Sequence, residues 1–234
     1  MRRLYLIELF AGTHSVSKAI RRSTIGRDFD TRVLSVDIDS KFHPSVVADI
    51  VTWRYKGAID EFLQDRRASD IVAIHASPPC TEFSRALTTR PRDLKAGSRN
   101  VKAAFRIIHH VRPDFWTLEN PVGLLKEQPF MKRGYAPSLH TTCYCKFGFP
   151  YRKATNIWTN IPHLDLPMCD AETPCAAKRK HGRHLMTAQA GPSTSTPGSG
   201  GGEFVYGLPP KLVRYLFRCG IAASHPHDLW QVRP

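Results

Sequence analysis

The stretch Ile71-Val72-Ala73-Ile74-His75-Ala76-Ser77-Pro78-Pro79-Cys80-Thr81-Glu82-Phe83-Ser84 contains a strand and the residue that stands at its exit. Ile71 to Ile74 is short, apolar and partly β-branched, as in a strand covered on both faces of a parallel sheet. Pro78 and Pro79 end it. With no N–H to donate and φ fixed near −65°, they send the chain out of the sheet in a stiff, extended loop. Cys80 is thereby held just past a strand's carboxyl end, where open α/β sheets gather their ligands. A lone cysteine more often packs as a small hydrophobe, so the neighbouring segments have to decide between the two readings.

Upstream, Leu4 to Phe10 reads as a strand, Ala11-Gly12-Thr13 as a tight turn and His14 to Arg22 as a helix with Val16, Ala19 and Ile20 inward. A glycine turn between strand and helix lets a ligand approach the backbone and the unsatisfied N–H groups of the helix start. Arg32 to Val36 is a second strand. Asp37 follows where such folds set a carboxylate against ribose hydroxyls, with Asp39 competing for the role. Val46 to Ile50 is a third apolar run carrying Asp49, and Tyr55 to Arg67 is an amphipathic helix.

Downstream, Arg85, Arg90, Arg92, Lys95, Arg99 and Lys102 mark a basic surface loop over Arg85 to Arg99, either a solvated face or a phosphate clamp beside the cysteine. A helix is predicted over Val101 to Val111. Phe115 to Pro121 is a further strand-like run, and Glu119 lies near its end among Trp116, Leu118 and Val122. Desolvation there favours the protonated acid that a proton donor near neutral pH requires, a capping acid being the alternative. After the Gly148 and Pro150 turn, a strand leads to Trp158, and a last apolar helix spans Lys211 to Cys219. The pattern is an α/β domain with its ligand edge at the strand carboxyl ends.

The chain has 234 residues, 41% of them hydrophobic, enough for one well-buried domain. No apolar run approaches the ~18 residues of a membrane span, and Met1-Arg2-Arg3 leads directly into a strand, so a soluble, intracellular, non-membrane protein is expected. Its 34 Lys and Arg exceed 20 Asp and Glu for a net charge of +14, which points to a polyanion such as nucleic acid. The 6 cysteines suit thiol chemistry or metal binding better than a disulfide framework.

Taken in order, these segments resemble the DNA cytosine carbon-5 methyltransferases, as a compact member. The likeness spans most of Leu6 to Trp158, with a looser match at Tyr206 to Phe217. Glu8-Leu9-Phe10-Ala11-Gly12 resembles the first cofactor loop, Val36-Asp37-Ile38-Asp39 the ribose-binding segment and Ala48-Asp49-Ile50 the acid near the adenine. Ser77-Pro78-Pro79-Cys80 resembles the nucleophile loop, and Glu119-Asn120 the pair that grips the target base. There are departures. His14 replaces the second loop glycine, Pro121 follows Glu119-Asn120, and the two-arginine motif is reduced to Arg152-Lys153 with Thr155 in the second arginine's place. Tyr206-Gly207-Leu208-Pro209 stands where an asparagine-containing turn is usual.

The resemblance implies a Rossmann-like α/β sheet that uses S-adenosylmethionine and acts as a monomer on double-stranded DNA. Cys80 would be the nucleophile, with Glu119, Asn120, Arg152 and Lys153 around the base, and Arg85, Arg152 or Lys153 would favour its thiolate. Phe10, Ala11, Gly12, Thr13, Asp37, Ile38, Asp49 and Pro79 would bind the cofactor. The catalytic domain is expected over 1–159, a small irregular target-recognition insertion over 160–205 with a Gly/Ser loop at 190–202, and a returning helix within 206–234. Cys169, Cys175, His181 and His184, with Cys145 a further possible ligand, are candidate zinc ligands ordering the insertion, reduced thiols being the alternative. A tRNA cytosine methyltransferase and a catalytically idle, zinc-ordered DNA-binding protein are the competing readings.

Overall fold

The computed structural model describes residues 1–186 and 207–224. The expected Gly/Ser loop at 190–202, Tyr206 and residues 225–234 lie outside the described residues. Seven strands, β1 (Arg3–Leu9), β2 (Asp30–Asp37), β3 (Val46–Val47), β4 (Ile71–Ala76), β5 (Phe115–Pro121), β6 (Leu139–Cys143) and β7 (Ala154–Thr159), form one sheet in the order β3-β2-β1-β4-β5-β7-β6. The first five run parallel, whereas β7 is antiparallel to both β5 and β6. The Rossmann-like α/β class expected from the sequence is the fold observed.

Side chains alternate across the pleat, so each strand feeds two cores. Leu4, Leu6, Ile71, Ala73, Phe115 and Ile157 face one side, under helices α1 (Ser15–Arg21) and α2 (Thr24–Asp28) and the C-terminal helix α7 (Pro210–Ser224). Ile7, Leu9, Ile74, Trp116, Leu118 and Trp158 face the other, under α3 (Tyr55–Leu63) and α4 (Leu94–Val111). Both faces being covered explains why these strands read as continuous apolar runs. Of two short helices, α5 (Pro129–Gly134) adds Met131 to the second core, whereas α6 (Ala176–His181) buries no residue. No described helix is long and apolar enough to cross a membrane.

Several boundaries differ from the sequence expectation. α4 begins at Leu94, not at Val101, because the Asp93 carboxylate accepts from the Ala96 N–H at 2.8 Å and caps it. Lys95, Arg99 and Lys102 therefore ride on a helix, and only the first part of the basic stretch is loop. α3 stops at Leu63, since Arg67 turns to the fully buried Asp70, giving it both a backbone N–H and its guanidinium. β3 is cut to two residues, and β6, not expected, pairs along β7.

From β1 the chain winds outward through β2 and β3; from β4 it winds the opposite way through β5. The loops leaving β1 and β4 thus diverge and open a crevice at their carboxyl ends, the position where doubly wound sheets bind ligands. Phe10 to Thr13 and Ser77 to Cys80 are those two loops.

Candidate active site

Cys80, partly exposed, stands at the head of a 3-10 turn over Thr81–Phe83, whose first bond runs from the Phe83 N–H to the Cys80 carbonyl at 3.0 Å. Two contacts brace the loop that carries it. The Asn120 amide, wholly buried on β5, donates to the Pro78 carbonyl at 2.9 Å. Beneath, His75 sits between Thr117 Oγ1 at 2.8 Å and Ser77 Oγ at 2.9 Å. Burial holds the His75 imidazole down to about 4, against the pull of the nearby Glu119 charge, so near neutral pH it is an uncharged donor and acceptor. Gly123 closes the far side, where a Cβ would collide with the Phe83 carbonyl oxygen.

Glu119 is buried on β5, and β7 runs beside it in register with Ile157 opposite. The Tyr144 hydroxyl donates to Glu119 Oε1 at 2.8 Å, and Thr155 Oγ1 donates to the same oxygen. Among the described residues no donor reaches Oε2, which is left for a ligand. Asn120 Oδ1 is likewise buried without a partner among the described residues. A buried acceptor left unmade is costly, so an orphan beside a reactive loop marks a place for a donor from outside the chain.

The charge of Glu119 acts on Cys80. The Cys80 thiol is pushed up by burial first and by the Glu119 charge second, while Lys153 opposes both by favouring the thiolate. Of the cations expected to assist the thiolate, Lys153 alone has that effect. Its ammonium lies 4.7 Å from the centre of the buried Tyr144 ring. Arg152 turns the other way, its Nε donating to the Cys169 carbonyl at 3.2 Å, and Arg85 pairs with Glu127 at 3.2 Å. Arg90 pairs with Glu82, and Arg92 donates to the carbonyls of Ser84 and Leu87. The loop after Cys80 thus folds back on itself.

On the other side of the crevice a cavity of about 590 Å³ is lined by Phe10, Asp37, Ile38, Asp49 and Pro79, with Asn100 and Arg99 closing it from α4. Asp37 binds the loops around it, accepting from the Gly12 N–H at 2.8 Å and the Asp39 N–H at 2.9 Å. Gly12 adopts φ +45, a left-handed conformation that favours glycine. Asp39 is occupied with Lys41 and does not line the cavity. Ile38 is 69% exposed, a bare apolar surface at the cavity mouth. Of the other residues expected against a cofactor, Ala11 is buried and Thr13 lines a neighbouring depression of about 300 Å³ with Ser15 and Leu208.

Cys145, Cys169, Cys175 and His184 converge, their ligand atoms all within 4.8 Å of one another. His184 Nε2 is 3.5 Å from Cys169 Sγ. Tetrahedral zinc, with Zn–S near ~2.3 Å and Zn–N near ~2.0 Å, sets its ligand atoms roughly 3.5–3.8 Å apart, so the set fits zinc after a small contraction. His181, on α6, stands outside the group. The cluster joins the 3-10 turn Tyr144–Phe147, which follows β6, to the segment after β7.

Tyr144, His75 and Thr117 were not singled out in the sequence as site residues. The antiparallel register that puts Thr155 near Glu119 has no local signal in the sequence.

The Rossmann-like sheet carries a cysteine, a glutamate-asparagine pair and a cavity at its switch point, and the chain is similar in sequence to a protein named as a DNA (cytosine-5)-methyltransferase. It is 26% identical over 206 residues, 80% of this chain and 86% of the relative, to the "Probable DNA (cytosine-5)-methyltransferase" of Frog virus 3 (isolate Goorha). Among solved structures it is similar to a candidate DNA modification methyltransferase encoded within an E. coli prophage, with TM-score 0.48 and 18% identity, covering 67% of this chain and 46% of that one. The methyltransferase EhMeth of Entamoeba histolytica gives TM-score 0.46 and 16% identity, covering 73% of this chain and 58% of that one. The chain spans about half the length of those two proteins. No protein-family model matches it.

Proposed function

We propose that this chain transfers a methyl group from S-adenosylmethionine to carbon 5 of cytosine in double-stranded DNA, as a monomer inside the cell. The observation that carries the reading is the Asn120 amide on the Pro78 carbonyl, which fastens the Glu119-Asn120 pair of β5 to the loop bearing Cys80. Cytosine carbon 5 is too weak a nucleophile to take a methyl group unaided. Cys80, having lost its thiol proton, adds to carbon 6, and Glu119 supplies a proton or a strong hydrogen bond at ring nitrogen 3, so that carbon 5 becomes an enamine carbon. Asn120 holds the nucleophile loop, and Lys153 favours the thiolate.

S-adenosylmethionine, when bound, supplies an electrophilic methyl group. The residues for holding it are Phe10, Asp37, Ile38, Asp49 and Pro79 around the cavity, with Ala11, Gly12 and Thr13 forming the adjoining loop. Loss of the carbon-5 proton to a base then releases Cys80. Because carbon 6 is stacked inside a duplex, the base must swing out, at a cost of a few kcal/mol that phosphate contacts offset. Arg90 and Arg92 supply such contacts on release from their internal partners. Cys145, Cys169, Cys175 and His184 hold a structural zinc ion in a four-coordinate set.

The test is transfer of labelled methyl from S-adenosylmethionine to duplex DNA, to tRNA and to neither, with bisulfite sequencing of the product. Label at carbon 5 of DNA cytosine is expected; label on tRNA alone moves the substrate to RNA, and binding without transfer selects the idle protein.

A further inference from the structure

Cys145 is chain neighbour to Tyr144, and Tyr144 is wholly buried with its hydroxyl 2.8 Å from Glu119 Oε1. A single peptide bond therefore links the four-ligand cluster to the residue whose side chain orients the glutamate. Two struts run between the same parts. The Tyr144 N–H donates to the Lys153 carbonyl at 3.0 Å, and the Arg152 side chain donates to the Cys169 carbonyl at 3.2 Å. Lys153 in turn lies over the Tyr144 ring and acts on Cys80.

The segment beyond β7 is anchored at its start by Ile161 and Leu164 in the core and by the Thr142 hydroxyl, which donates to the Pro167 carbonyl at 2.7 Å; around Cys169 and Cys175 the contacts are of another kind. Its described part has α6 as its one helix, and Cys169 and Cys175 form a separate apolar cluster with Cys143 and Cys145. Without an ion, the cluster rests on weak contacts, such as Cys169 Sγ to His184 at 3.5 Å and the Cys175 N–H to Cys169 Sγ at 3.4 Å. A coordinated ion would replace these with bonds whose free energy is folding free energy for the segment they close.

We propose that the three-cysteine, one-histidine centre acts as a clamp on Glu119: by fixing Cys145 it fixes Tyr144, a positioning residue, so that zinc occupancy sets the rate of the chemical step. This rests on the reading of Glu119 as the group that activates the base. Both O–H donors use Oε1, so losing Tyr144 frees the carboxylate to rotate and withdraws Oε2 from its place facing the ligand. Thr155 alone then holds it.

The test uses the full chain with zinc bound, and the same chain after zinc is stripped by a chelator. Amide hydrogen exchange in peptides covering 142–149 should speed by about 10-fold or more on metal loss, with β1 and β4 peptides unchanged. Single-turnover methyl transfer at saturating DNA and cofactor should slow on the order of 10-fold and recover with Zn²⁺ but not Mg²⁺. Tyr144→Phe should keep its zinc, slow by a similar factor, and lose little more when stripped, because both changes remove one support. Equal slowing of Tyr144→Phe and the unsubstituted chain on stripping would make the two independent and overturn the clamp. So would failure of the purified chain to bind zinc, or unchanged exchange over 142–149, a result that needs neither activity nor a folded variant. Faster exchange with no methylation of any nucleic acid would bear out the metal's hold on Tyr144 but overturn the cytosine reading and, with it, the effect on rate.

Discussion

Asn120 reaches from β5 to the Pro78 carbonyl, 2.9 Å away, and joins two segments that the sequence keeps 42 residues apart. The bond is wholly buried, and it fixes the direction in which Cys80 leaves the sheet. Asn120→Ala strands the Pro78 carbonyl at a cost of about 1–3 kcal/mol. Methyl transfer should fall roughly 5- to 150-fold, the rate equivalent of that energy if all of it is expressed at the site. Cofactor affinity, measured by calorimetry, should stay at the level of the unsubstituted chain, since Asn120 does not line that cavity.

The Cys80 thiol, raised by burial and by Glu119 and lowered by Lys153, makes a prediction with two signs. Alkylation of Cys80 by iodoacetamide, followed on its own peptide by mass spectrometry, should be slow at neutral pH and rise beyond the ordinary thiol range. Lys153→Met should slow it and Glu119→Gln should speed it, by on the order of 10-fold per unit of pKa change. Glu119→Gln would then have a more reactive thiol and yet methylate far more slowly.

His75 is held near 4 in the fold against about 6.5 in the unfolded chain. The unfolded state therefore takes up the proton first. The contribution is complete above pH ~6.5 and is lost as pH falls toward ~4, up to about 3 kcal/mol in all. Urea unfolding of the native chain and of His75→Gln should show a steeper loss of stability over that window in the native chain. Glu8, whose carboxyl burial raises, acts with the opposite sign but is common to both proteins. Parallel slopes would show that His75 is not buried in its neutral form.

What the sequence disclosed and what it hid follow a physical division. The strand at Ile71, its two prolines and the glycine turn at Gly12 are local patterns, readable because one or two residues dictate the backbone there. Register is not local. That Thr155 and Tyr144 meet Glu119 depends on β7 entering antiparallel beside β5, and adjacent Arg152 and Lys153 are told apart only by their contacts, one with the Cys169 carbonyl and the other with the Tyr144 ring. Cys145 could be named as a possible ligand, yet its spacing from Cys169 and Cys175 is not that of a common zinc motif, because the loop joins two separate turns. The start of α4 at Asp93 was missed for a different reason, since a basic run obscured a capping aspartate.

The central claim is that Cys80 forms a bond to the base. Duplex DNA carrying 5-fluorocytosine at the target position tests it most directly, because cysteine addition and methyl transfer can both occur but fluorine cannot leave as a proton. The adduct should accumulate with S-adenosylmethionine, map to the peptide containing Cys80, be absent in Cys80→Ala, and form roughly 100-fold or more slowly in Glu119→Gln. Methylation of ordinary cytosine by this chain, with no Cys80 adduct on the fluorinated substrate, would contradict the account.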